Sequence, residues 1–139
     1  VTRFAIALGL VAVAAAIAYI VQRRRPDAPT QTSWSVPAQL DRADFASPEV
    51  AWLIVVFSSA TCGICEAIVA KAMPLASDDV VVQEVEFSAD RDLHERYHID
   101  AVPTLVVADA RGVVRASFVG SVVAAELWSV VSDLRDNSR

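Results

Sequence analysis

A chain of 139 residues, 55% hydrophobic with much of that packed into one N-terminal run, has room for one ordinary domain and a short appendage. Net charge is -5, and residues Ala38 to Arg139 hold sixteen Asp and Glu against eight Lys and Arg, which argues against nucleic-acid binding. Two cysteines are too few for a disulfide framework, so the pair reads as chemical rather than structural.

Phe4 to Val21 is almost wholly apolar and carries no charge. As a helix its eighteen residues span roughly 27 Å, about the hydrocarbon thickness of a bilayer, so a transmembrane helix is expected. A cleaved signal peptide fits less well. The small residues Ala14, Ala16 and Ala18 lie inside the apolar run, and the charged flank follows it rather than preceding it. A buried soluble helix fits least, because every face is apolar. Arg23, Arg24 and Arg25 follow the run, against a lone Arg3 before it. The positive-inside rule then puts the rest of the chain in the cytoplasm, with an extracytoplasmic domain as the alternative. Residues 1–25 are thus expected as an anchor with a basic flank, 26–37 as a linker, and 38–139 as the folded domain.

A short first strand is expected around Trp34 to Leu40, and a short helix over Leu40 to Phe45 capped by Asp41. Ser47-Pro48 is a turn signal. Val50 to Phe57 is near-continuously apolar and rich in β-branched residues, which predicts a central strand covered on both faces. Helical spacing starts at Cys65 and runs through Ile68, Val69 and Ala72, ending or kinking near Met73-Pro74. Val80 to Phe87 is the next strand, with Glu84 and Glu86 alternating against Val85 and Phe87. Asp92 to His98 is a helix, and Thr104 to Ala108 a further strand. Asp109 to Gly112 turns the chain into a returning strand, Val113 to Val119. Ser121 is the expected cap of a last helix, whose apolar face is Val123, Leu127, Val130 and Leu134. The order predicts an α/β domain: a mixed sheet flanked by helices on both faces.

Chemistry concentrates at Thr61-Cys62-Gly63-Ile64-Cys65, between the buried strand and the first helix. A helix N-terminus presents free N–H groups and partial positive charge, both of which favour thiolate. Glu66, next in sequence, raises a thiol pKa if it lies close; as a solvated first-turn acid it serves the helix dipole instead. A rival use of the cysteines is zinc, with His94 and His98 four apart on a helix completing a ligand set. The long gap between Cys65 and His94 argues against it, and a solvated helix face accounts for both histidines. Covalent haem attachment needs His after the second cysteine, where Glu66 stands.

The C-x-x-C at a helix start, together with Tyr97-His98-Ile99-Asp100-Ala101-Val102-Pro103-Thr104-Leu105, resembles the thioredoxin family. Glu84-Val85-Glu86-Phe87 and Val119-Gly120 also fall where the family has related patterns, so the resemblance covers roughly Trp34 to Leu134. It implies a thiol–disulfide oxidoreductase without metal or organic cofactor, exchanging disulfides with protein thiols and served by an unidentified electron donor or acceptor. It makes Cys62 the exposed attacking thiol and Cys65 the more buried resolving one. It makes Pro103 a cis-proline beside the dithiol, and Thr61, Gly63, Ile64, Val102, Pro103 and Thr104 the substrate-binding surface. Three positions depart from the family's pattern. Thr61 stands where Trp is frequent, Ile64 where Pro is frequent, and Val56 where many members carry a buried acid. These departures leave reduction, oxidation and shuffling of disulfides all open. They also motivate an alternative, a non-catalytic interaction module that keeps the fold.

Overall fold

The computed structural model describes residues 34–138. The apolar run at 4–21, its basic flank and most of the expected linker lie outside the described residues. Among the described residues, no helix is long and apolar enough to cross a membrane.

Strand β1, Trp52–Ser58, is buried at all seven positions. The apolar run explains this, because only a strand with neighbours on both sides and layers on both faces can hide every side chain. Strand β2, Val80–Glu86, pairs with β1 in parallel, and Val56 lies opposite Glu84. Strand β3, Thr104–Ala108, pairs with β1 antiparallel, with Phe57 opposite Thr104. Strand β4, Val114–Val119, pairs antiparallel with β3, giving the order β2-β1-β3-β4. The sheet is therefore mixed, as expected.

Alternation along β1 divides the core. Trp52, Ile54 and Val56 face helix α1, Cys65–Ala72, through Ile68 and Ala72, and the last helix through Leu127 and Val131. Leu53, Val55 and Phe57 face the other way, against Leu40, Phe45 and Tyr97. Helix α2, Arg91–Arg96, leads to Tyr97 on that second face. The first helical turn past Ala72 tightens to a 3₁₀ turn, Met73–Leu75, at Pro74. The expected short helix is a 3₁₀ turn, Arg42–Asp44, with Asp41 accepting from the Ala43 N–H at 3.0 Å.

Two expectations fail. The strand around Trp34 to Leu40 is not formed: Gln39 makes only an isolated bridge with Val113. Trp34 is exposed and Leu40 alone is fully buried there, so little burial rewards a longer pairing. The last helix, α3, Ala124–Asp136, has Val123 at its cap position with no side-chain capping bond, and Ser121 does not cap it. The core takes up Val122 instead, which keeps the chain extended to Val123. The buried face of α3 is consequently Leu127 and Val131, with Leu134 packed beside them, while Val123 is 66% exposed.

Candidate active site

β1 ends at buried Ser58 and hands the chain to a loop held by its own polar groups. The Ser59 hydroxyl accepts from the Thr61 N–H at 3.3 Å, and the Ser59 carbonyl accepts from the Cys62 N–H at 3.0 Å. Glu86, at the end of β2, ties the same loop down by accepting from the Ala60 N–H at 3.0 Å. Its other oxygen accepts from the N–H groups of Ser88 and Ala89. The Ala60 N–H, chiefly, holds the Glu86 carboxyl below the usual carboxylate range; burial opposes this, and Ala89 and Ser88 add to it.

Cys62 and Cys65 are joined by a disulfide, their Cα atoms 5.5 Å apart. Cys62 is half-buried, whereas Cys65, the first residue of α1, is only 3% exposed. The two sulfurs thus differ in access. Thr61, Gly63 and Ile64 are exposed around Cys62.

Register brings the second half of the site alongside. Thr104 opposes Phe57 on one side and Val119 on the other, so the residues just before it sit beside the loop that follows β1. The Val102–Pro103 peptide bond is cis. The Pro103 carbonyl accepts from the Gly120 N–H at 2.8 Å, and the Thr104 hydroxyl donates to the Ala101 carbonyl at 2.8 Å. Val102 and Ser59 line one cavity of about 190 Å³ with Phe87, His94 and Ile99.

The zinc set is not assembled. His94 is buried rather than solvated, with Nε2 donating to the Val85 carbonyl at 2.9 Å. α2 stops at Arg96, so His98 lies beyond the helix, with a φ of 51°, and shares no helical face with His94. Among the described residues, no group of three or more His, Cys, Asp and Glu could hold a metal ion.

The family model of thioredoxin matches residues 39–133, well over half the chain. The chain belongs to the thioredoxin family. Thioredoxins need no cofactor, and the family membership together with the bonded Cys62–Cys65 pair makes this chain a thiol–disulfide oxidoreductase. It is similar to thioredoxin O2 from Arabidopsis thaliana in the oxidised state, at 27% identity and a TM-score of 0.55, over 68% of this chain and 89% of that one. The germline-specific thioredoxin Deadhead of Drosophila melanogaster shares the fold at 24% identity and a TM-score of 0.54, over 63% of this chain and 84% of that one. Mitochondrial thioredoxin 3 of Saccharomyces cerevisiae shares it at 20% and 0.52, over 62% and 81%. No curated protein sequence matches significantly.

The sequence reading missed what lies beside the disulfide. A cavity of about 270 Å³ is lined by Cys62 and Cys65 and by three carboxylates, Glu66, Glu84 and Glu86. The alternation of Glu84 and Glu86 against Val85 was a usable signal. Val85 belongs to the face away from α1, which turns its glutamate neighbours toward α1.

Proposed function

We propose that the protein exchanges disulfides with protein substrates by a two-cysteine mechanism. The Cys62 thiolate attacks a substrate disulfide, forming a mixed disulfide and releasing one substrate thiol. Cys65 then attacks Cys62, closing the internal disulfide and releasing the second thiol. The observation that carries this is the unequal access of two bonded sulfurs, one half-buried and one 3% exposed. A substrate reaches the first, and only the protein's own mixed disulfide reaches the second.

In this reading Thr61, Gly63 and Ile64 on one side and Val102 on the other form the binding surface, while Pro103 and Thr104, expected there too, are buried and hold the Val102 backbone from behind. Exposure of the first three and the adjacency of Val102 to Ser59 support it. A protein dithiol or disulfide of unidentified nature restores the starting state. The uncharged run at 4–21, followed by three arginines, supports a tether that holds the domain at the cytoplasmic face of a membrane.

The experiment is trapping. Cys65→Ser in the full chain should accumulate substrates as mixed disulfides on Cys62, released by a thiol reagent, and Cys62→Ser should accumulate none. Partners that co-purify with Cys65→Ser without any covalent adduct would replace enzyme with interaction module. Extraction of the parent from membranes by alkaline carbonate would remove the tether from this account.

A further inference from the structure

Resolution of the mixed disulfide asks something of Cys65 that its surroundings make hard. In that intermediate Cys65 is a thiol, and only its thiolate can attack. Burial disfavours the thiolate, so the proton needs an acceptor close at hand. We propose that Glu84 is a positioning residue that takes the Cys65 proton through water in the cavity beneath the dithiol. This rests on the two-cysteine reading above.

Three carboxylates line that cavity, and their settings differ. Glu86 is committed to the backbone: one oxygen accepts from Ala60 and the other from Ser88 and Ala89. Those N–H groups stabilise its ionised form and so weaken it as a base. Glu66 follows Cys65 directly on α1, and neighbouring residues on a helix do not face each other. Glu84 comes from the strand below. It lies opposite Val56 in the β1–β2 ladder, on the sheet face that α1 covers. Val56 itself offers no acceptor, so the carboxylate comes from one strand over.

Glu84 is also fixed in place. The hydroxyl of Ser58, 1% exposed, donates to its Oε1 at 2.5 Å, and among the described residues no hydrogen bond holds Oε2. The Glu84 side chain reaches solvent, so a proton it accepts can leave to bulk. A cavity of about 270 Å³ with several polar walls has room for more than one water.

The step balances. The Cys65 S–H proton passes through water to the Glu84 carboxylate. The Cys65 thiolate attacks the Cys62 sulfur, forming the Cys62–Cys65 bond. The bond from Cys62 to the substrate sulfur breaks, and its electron pair leaves on the substrate thiolate, which takes a proton from solvent. The dithiol is oxidised and the substrate disulfide reduced.

The test is single-turnover reduction of a protein disulfide by the full-length protein. The protein is pre-reduced with a dithiol reagent, separated from it and followed by acid quench from pH 5 to 9. In Glu84→Gln the mixed disulfide should accumulate and its resolution slow at least about tenfold near pH 7, the low end of a general-base effect. The rise of the rate with pH should move to higher pH, and Glu84→Asp should recover part of the loss. Glu66→Gln removes one charge from the same cavity and should resolve at or above the parent rate. If Glu84→Gln resolves as fast as the parent, or faster with the rise at lower pH, Glu84 acts as a charge or not at all and the assignment is overturned. A parent that exchanges no disulfide overturns the oxidoreductase reading, and this assignment with it.

Discussion

The imidazole of His94 donates from Nε2 to the carbonyl of Val85 across 2.9 Å, joining α2 to β2 in the middle of the second core face. Its ring meets Phe57 and Phe87 edge-on, with centroids 5.2 Å away in each case. The histidine is a structural rivet between aromatic rings. His94→Ala should therefore cost about 2–4 kcal/mol, from lost packing and an unfilled carbonyl. Urea midpoints measure this, and disulfide exchange per folded molecule should stay at the parent level. A zinc-dependent gain in stability that disappears with His94→Ala would reverse this account.

That rivet also shows where sequence reading stops. Burial of β1 was legible because eight successive apolar residues, Val50 to Phe57, admit few other placements, and the cysteine pair was legible because chemistry and position coincide. Helical spacing assigns a side chain to a face but not to a fate. His94 and His98 look equivalent at four residues apart, yet the helix ends between them and only one enters the core. The last helix misled for a related reason. Val122 and Val123 are chemically identical, and which one the core takes depends on where the chain enters from β4. Glu84 was visible as an alternating acid, but its place under the dithiol needed the register of β2 on β1.

Two glycines answer to different demands, Gly112 in the turn between β3 and β4 and Gly63 between the cysteines. Gly112 has a φ of +77°, and a Cβ there would lie 2.0 Å from the Leu40 carbonyl oxygen, which its hairpin turn places alongside. Both backbone strain and backbone overlap oppose any side chain. Gly112→Ala should cost about 3 kcal/mol or more. Gly63, between the cysteines, has nothing within 4 Å of the same construction. Gly63→Ala should change stability by no more than about 0.5 kcal/mol. Urea denaturation of the two variants compares them directly, and equal losses would refute the distinction.

Acid should loosen the loop ahead of the dithiol. Glu86 is held below the usual carboxylate range chiefly by the Ala60 N–H, against burial and with help from Ala89 and Ser88. Asp79 is lowered too, first by the Ser77 hydroxyl and, against burial, by Arg135. A depressed folded pKa means the ionised carboxylate favours the fold. That contribution is complete above the unfolded value, about 4.3 for Glu and 3.9 for Asp, and is lost as pH falls through the folded value. Urea midpoints should be flat from pH 7 to about 5 and fall below about pH 4. Glu86→Gln should lower the midpoint at pH 7 and flatten the acid fall. An unchanged acid limb in that variant would show that Glu86 does not contribute.

The groups around the sulfurs bias the balance between the bonded and the reduced cysteine pair. Glu66, Glu84 and Glu86 line the cavity at the cysteine pair, and among the described residues no Lys, Arg or His lines it with them. Negative neighbours disfavour thiolate, which weakens the reduced state relative to a couple set among cations. The α1 N-terminus works the other way, but its partial charge is set against three carboxylates. Closing a loop between residues 62 and 65 also removes disorder from the unfolded chain, by at most about 2 kcal/mol for so short a loop. Both effects make the oxidised protein the more stable form. Stability and potential are linked, because a disulfide that stabilises the fold is by the same amount harder to reduce. Each 1.4 kcal/mol of difference is worth about 30 mV. Urea midpoints should therefore be higher for the oxidised than for the reduced protein, and the Cys62–Cys65 couple should equilibrate near the thioredoxin value of about −270 mV. A reduced form more stable than the oxidised one would instead mark a disulfide donor, with electrons flowing into the cysteine pair from its substrates.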